Sequence, residues 1–208
     1  MEIKSFECGP LATNCYLIID GENSVLIDAP PQSLKVIKKI IEDSNVKLSA
    51  VLLTHTHWDH AADADYYKKE LGAEVYCAKE DEYRLIDPNL HTVWKLPFEI
   101  PVTNADKYLN DGELLKFGGI ELKSIFTPGH TEGGFSFVLD SEKSVFTGDT
   151  LFCESVGRTD LPGGNQNALV VSIKNKLYSL PDDYKAYPGH GDSSEIGYEK
   201  SNNQAVTA

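Results

Sequence analysis

The stretch LLTHTHWDHAADADYYKKEL, residues 52–71, places three histidines and an aspartate within six positions, His55 to His60. They follow an apolar run, Leu48–Thr54, whose leucines and β-branched residues predict a buried strand. Side chains at i and i+2 of an extended segment point to the same side, so His55 and His57 are expected to project together. Asp59 and His60 fall at the turn into a helix expected from about Asp59, whose carboxylate could cap the first turn. This differs from HExxH, which presents its two histidines from one helical face.

The device recurs downstream. FTPGHT (126–131), FTGDT (146–150) and YPGHG (187–191) each end an apolar strand in a glycine-containing turn and then present His130, Asp149 or His190. Of the 6 histidines only His91 lies elsewhere. Imidazole and carboxylate are ligands for zinc, iron or manganese. One ion takes three or four protein donors, so His55, His57, Asp59, His60, His130, Asp149 and His190 are more than one ion needs. Two ions sharing a bridging carboxylate would use them all. A purely structural zinc would favour thiolates, and none stands in these motifs.

Around these motifs the chain reads as an α+β protein. Residues 2–7, 14–19 and 24–28 predict an antiparallel meander with glycine-containing turns. Helical spacing covers Gln32–Asn45, a strand Glu74–Cys77, and a helix Lys79–Ile86. Further strands are expected at 113–117, 120–126, 134–139 and 144–147, a helix over Gln166–Leu180 and a last strand at Tyr184–Tyr187. That order predicts a sheet-on-sheet core with helices outside, not a doubly wound parallel sheet. Residues 87–105, with three prolines and no period, are the longest irregular segment and a candidate substrate-facing loop, with His91, Trp94 and Phe98 at its mouth.

The 208 residues suffice for one domain, expected over 1–208, with no linker to divide it. The net charge of −13 argues against a nucleic-acid partner. No apolar run reaches the roughly 20 residues of a membrane span, and the N-terminus does not read as a secretory signal. Cys8, Cys15, Cys77 and Cys153 form no CxxC pair and suit a reducing compartment, so a cytoplasmic location is expected. Cys153 reads as a small core residue, Phe126 and Tyr187 as strand core, and Arg158–Asp160 as a structural ion pair. Nothing indicates the oligomeric state.

THTHWDH (54–60) resembles the HxHxDH signature of the metallo-β-lactamase superfamily, and FTPGHT, TGDT and YPGHG resemble its later motifs in order and spacing. GPLATNCYLI (9–18) and VLIDA (25–29) are similar to its opening strands, with Asp28 at the structural aspartate. The resemblance implies a four-layer αββα sandwich with the site at one edge of the sheets. It assigns His55, His57 and His130 to one metal, Asp59, His60 and His190 to a second, and Asp149 to both. The Trp in HTHWDH and LFCESVGRTDLPGG (151–164) resemble the short, stand-alone glyoxalase II-like hydrolases. Three departures stand out. Only 18 residues follow His190 (208 − 190), too few for the helical domain by which full-length glyoxalase II grips glutathione; Ala61–Ala62–Asp63 replaces glycines; and Pro30 in DAPP (28–31) excludes positive φ at its own position.

The implied activity is a metal-dependent thioesterase of the hydroxyacylglutathione hydrolase type. Two divalent ions, zinc first with iron or manganese as alternatives, would lower the pKa of a shared water, with Asp59 orienting the resulting hydroxide. Two M²⁺ against two aspartates and one hydroxide leave about +1 (4 − 2 − 1), which suits an anionic small-molecule thioester. A thiolate, with thiol pKa about 8.5, leaves without a general acid, whereas an amine does not. The alternatives are a lactonase or esterase, and a mononuclear-iron persulfide dioxygenase of the same fold using His55, His130 and Asp149.

Overall fold

The computed structural model describes residues 1–90, 95–96 and 98–207. These form two compact units, Met1–Leu109 with Lys116–Glu121, and Asn110–Leu115 with Leu122 onward. The candidate substrate-mouth residues His91 and Trp94 lie outside the described residues.

The first unit carries a sheet in chain order: β1 (Glu2–Cys8), β2 (Thr13–Asp20), β3 (Asn23–Ile27), β4 (Lys47–Leu52), β5 (Glu74–Cys77) and β6 (Lys107–Tyr108). Short turns join β1, β2 and β3, which therefore pair antiparallel. The strands β3 to β6 are parallel, and a parallel neighbour requires a crossover. Helix α1 (Ser33–Ser44) provides the first, and α2 (Trp58–Ala61) with α3 (Ala64–Leu71) the second. Cys15, Leu17, Leu26, Val51 and Val75 share one sheet face and meet Ile37 and Ile41 of α1 and Tyr67 of α3. Tyr16, Ile18, Val25, Ile27 and Leu52 on the opposite face are buried too, which explains why these strands read as continuous apolar runs.

The structure shifts several expected boundaries. The strand ends at Leu52, not Thr54, so His55 and His57 stand on irregular chain. Asp59 does not cap its helix: the N-cap is His57, with no side-chain cap, and Asp59 lies inside the first turn. The helix then breaks into α2 and α3 because Asp63 is committed elsewhere. Its N–H donates to Ala29 C=O (3.0 Å) and its carboxylate accepts from Leu34 N–H (3.0 Å). Pro30 leaves positive φ to its neighbours, and Asp28 (φ 61°) and Gln32 (φ 70°) adopt it. The expected helix over 79–86 contracts to α4 (Tyr83–Ile86).

The second sheet contains β7 (Leu114–Phe117), β8 (Ile120–Phe126), β9 (Phe135–Leu139), β10 (Ser144–Gly148), β13 (Lys185–Pro188) and β14 (Ser194–Glu195), and β11 (Leu151–Phe152) and β12 (Ser155–Val156) form a small hairpin apart from it. The sheet order is β14-β13-β10-β9-β8-β7, with β10 and β13 parallel. Val138, Val145 and Ala186 pack against Leu169, Ile173 and Leu177. Of these last three, Leu169 lies in α5 (Gln166–Ser172), while Ile173–Leu177 widens into a π turn instead of continuing the α-helix to Leu180. A last helix, α6 (Ile196–Asn202), contributes Ile196. Gly129, in the turn before His130, has φ 142°, and a Cβ there would stand 2.3 Å from the Leu169 backbone. This turn admits only glycine.

The first unit also buries a charge pair. Arg84 (1% exposed) donates through its guanidinium to Asp81 Oδ1 (2.9 Å), and Asp81 is 0% exposed. Asp81 accepts as well from Thr56 N–H (3.2 Å) and, at its backbone carbonyl, from Thr56 Oγ1 (2.8 Å). Removing one member strands the other charge in the core. Arg84→Met is expected to lower stability by about 3–5 kcal/mol, read as the shift in denaturant midpoint, whereas breaking an exposed pair such as Lys143–Asp183 should leave that midpoint nearly unchanged.

Candidate metal centre

In the first unit, His55, His57, Asp59 and His60 lie close together, all buried. The His55 ring lies 4.9 Å from that of His57 and 4.1 Å from that of His60, centroid to centroid. Their aim is set from behind by Asp28. Its carboxylate accepts from Thr54 N–H (2.7 Å), from Thr54 Oγ1 (2.8 Å to Oδ2) and from His60 Nδ1 (2.8 Å). A carboxylate only accepts, so His60 carries its proton on Nδ1 and leaves Nε2 with the lone pair. The Thr54 hydroxyl spends its hydrogen on Asp28, so it accepts from His55 Nδ1 (3.1 Å), which fixes the same tautomer there. Burial pushes the Asp28 carboxyl up, opposed by His60 and Thr54. Thr13 Oγ1 donates to Asp59 Oδ2 (3.2 Å) and orients that carboxylate.

The second unit assembles His130, Asp149 and His190. His130 Nδ1 donates to the Arg158 carbonyl (2.7 Å), again leaving Nε2 as the lone-pair nitrogen. Gly157 makes this approach possible. A Cβ at that position would lie 1.9 Å from the Asp149 carbonyl oxygen and 3.2 Å from His130 Nδ1. The residues GRTD (157–160) therefore support the centre through a missing side chain and a backbone carbonyl, a role that spacing alone did not reveal. The Gly189 N–H donates to Gly148 C=O (2.8 Å), tying the turn before His190 to the turn before Asp149.

The donor spacing within each unit fits metal ligation. His130 Nε2 and His190 Nε2 stand 3.5 and 3.6 Å from Asp149 Oδ2, and His60 Nε2 stands 3.6 Å from Asp59 Oδ2. These exceed the usual N–H···O length of about 2.7–3.2 Å. Donors arranged tetrahedrally about an ion at roughly 2.0–2.1 Å stand about 3.3 Å apart, close to what is seen. Imidazoles with anchored Nδ1 atoms and oriented carboxylates suit zinc, iron or manganese.

Other residues depart from expectation. Cys153 is exposed, not core, because it sits on the tip between β11 and β12. Phe126 and Tyr187 are only partly buried; Tyr187 stacks on Phe146 (5.3 Å). Arg158 and Asp160 do pair, bidentately at 2.7 and 2.7 Å, on the surface. Phe98 lies against Trp58 (5.7 Å) beside a cavity of about 420 Å³ that Lys95 and Leu96 also line. Among the described residues no helix is long and apolar enough to cross a membrane.

Residues 8–190 match the family model of the metallo-beta-lactamase superfamily. The chain is 36% identical to the hydroxyacylglutathione hydrolase GloC of Haemophilus influenzae, covering 98% of this chain and 97% of that one. Its fold superposes on the B3 metallo-beta-lactamase BLEG-1 with TM-score 0.92 and 31% identity, over 100% of both chains. It superposes on TTHA1623, solved in a di-iron-bound form, with TM-score 0.87 and 33% identity, over 98% of this chain and 100% of that one. The motifs, the two supported donor sets and these likenesses agree: the protein has the metallo-β-lactamase fold and belongs to the metallo-beta-lactamase superfamily.

Proposed function

We propose that the protein is a metal-dependent hydrolase of small anionic thioesters, of the hydroxyacylglutathione type, and that its two donor sets jointly hold two divalent ions. In this reading His55, His57 and His130 serve one ion, Asp59, His60 and His190 the other, and Asp149 both. The observation that carries it lies inside the second unit: one carboxylate oxygen, Asp149 Oδ2, neighbours both His130 Nε2 and His190 Nε2, ligands assigned to different ions. The full-length likeness to GloC supports the thioester class.

Bound divalent ions would supply the Lewis acidity that makes water acidic enough to attack a carbonyl at neutral pH. The chain's own groups supply position. Asp59, with Oδ2 held by Thr13, orients the attacking water. His55, His60 and His130 are locked in the Nε2-presenting tautomer by Thr54, Asp28 and the Arg158 carbonyl. The departing thiolate needs no proton donor, which separates this chemistry from amide cleavage. The likeness to TTHA1623 in its di-iron-bound form keeps iron beside zinc as the resident metal.

Protein purified without added metal should carry two divalent ions per chain by elemental analysis and hydrolyse S-lactoylglutathione. Failure of the loaded protein to cleave any thioester or ester defeats the proposal. Turnover of a chromogenic β-lactam alone would transfer the reading to the activity in BLEG-1's name. One iron per chain with oxygen uptake on a persulfide would replace hydrolysis by dioxygenation. Separately, Gly157→Ala should displace the Arg158 carbonyl from His130 and weaken metal retention roughly 10–100-fold in a chelator competition, the usual range for loss of a partner behind a ligand.

A further inference from the structure

We infer that Glu199, in α6, is a positioning residue of the metal centre: its buried carboxylate clamps the tip of the β11–β12 hairpin and so sets the aim of His130 and His190, a role that rests on the reading of these histidines as metal ligands. The hairpin needs outside support. It pairs only Leu151 with Val156 and Phe152 with Ser155, and a two-stranded hairpin is marginal in water even when longer. Its loop is also strained. Glu154 takes φ 56°, a left-handed conformation that a residue with a Cβ keeps only where its surroundings impose it.

Glu199 supplies that constraint. It is fully buried, as is Asn203 one turn further on. Glu199 Oε2 accepts from Glu154 N–H (3.0 Å) and from Asn203 Nδ2 (2.8 Å), and Asn203 Nδ2 also donates to Ser155 C=O (3.0 Å). The two side chains thus grip an N–H and a carbonyl at consecutive positions of the tip. Glu199 Oε1 accepts from the Ser194 hydroxyl. Glu154 lies five residues after Asp149 (154 − 149) and Ser194 four after His190 (194 − 190), so one carboxylate ties together the segments leading away from both. All three donors are neutral. Burying a carboxylate is costly, and a leucine would fill the space at less cost; it could not accept these hydrogen bonds.

The hairpin carries the constraint to the ligands. Its base is pinned by Thr147 Oγ1, which donates to Leu151 C=O (2.8 Å). Its second strand runs straight into Gly157 and Arg158, and the Arg158 carbonyl accepts from His130 Nδ1 (2.7 Å). Phe152, at the end of β11, sets its ring edge-to-face with that of His190, 6.0 Å between centroids. A tip released from Glu199 would free β12 to drift, taking with it the carbonyl behind His130 and the ring beside His190. The carboxylate acts here as an acceptor and not as a charge. A glutamine could keep every bond: its oxygen can take the Glu154 and Asn203 donors, and its Nε2 can donate to the Ser194 hydroxyl.

The test compares the full-length protein with Glu199→Leu, Glu199→Gln and Leu177→Ala, the last a core truncation in the same unit that serves as a control for lost stability. Two readouts are taken on folded protein: zinc retention in a chelator competition, and the His130 Nδ1 proton in the metal-free protein by proton–nitrogen NMR. Glu199→Leu should hold zinc roughly tenfold less tightly, the low end for disturbing a partner behind a ligand, and its His130 proton should lose protection from exchange. Glu199→Gln should restore both readouts. Leu177→Ala should lower the denaturant midpoint and move neither. Wild-type zinc retention and His130 protection in Glu199→Leu, a glutamine variant as defective as the leucine one, or an equal zinc loss in Leu177→Ala would each overturn the assignment. If Glu199→Leu fails to fold, Asn203→Ala, which releases the Ser155 carbonyl, takes its place with the same expectations. If the wild type itself holds no zinc, the functional reading falls and the His130 proton alone decides the role of Glu199.

Discussion

One buried carboxylate, that of Asp28, governs the first donor set. It sits at the end of β3 in a left-handed conformation that few residues tolerate, and it is 2% exposed. An isolated carboxylate there would be costly, and burial alone would drive it toward its neutral form. Two hydrogen bonds from Thr54 and one from His60 Nδ1 offset that cost. The same bonds set imidazole orientation twice, directly at His60 and through the Thr54 hydroxyl at His55. The proline pair after Asp28 reinforces the arrangement, since neither ring can share in the positive φ and the turn must place it on Asp28 and Gln32.

The second donor set reaches the same chemical result without a buried carboxylate behind it. His130 gives its Nδ1 proton to a backbone carbonyl, which cannot change charge, and Gly157 lets that carbonyl come close. A backbone acceptor ties ring orientation to the path of the chain, so the shape of residues 157–160 becomes a determinant of ligand aim. The bidentate Arg158–Asp160 pair spans that turn. Being exposed, it contributes little stability.

The candidate donors stand out in the sequence because they follow apolar strands that end in turns, a pattern that survives without knowing the pairing. The strands were legible for the same reason: those buried on both faces, such as residues 14–19, are continuous apolar runs. The two-residue strands β6, β11, β12 and β14 are too short to show any period. The break between α2 and α3 was hidden because it depends on Asp63 reaching Ala29 and Leu34, residues some thirty positions away. Gly157 was hidden because its role is to leave space.

The irregular path of residues 53–57 creates a mechanical demand that propensity cannot meet. Backbone outside helix and sheet lacks a ladder of its own, yet donors need placement to within about 0.5 Å. The solution lies one residue from each histidine: Thr56, between His55 and His57, gives both its N–H and its hydroxyl to Asp81. Asp81 is held in turn by Arg84, a fully buried arginine from α4. A hydrophobic pair of similar size could serve stability equally well. It could not accept the Thr56 N–H, and an unsatisfied amide beneath the ligand segment would leave the chain free to choose another path. The buried charges are therefore best understood as a registration device for His55 and His57, their energetic cost borne by the apolar core around them.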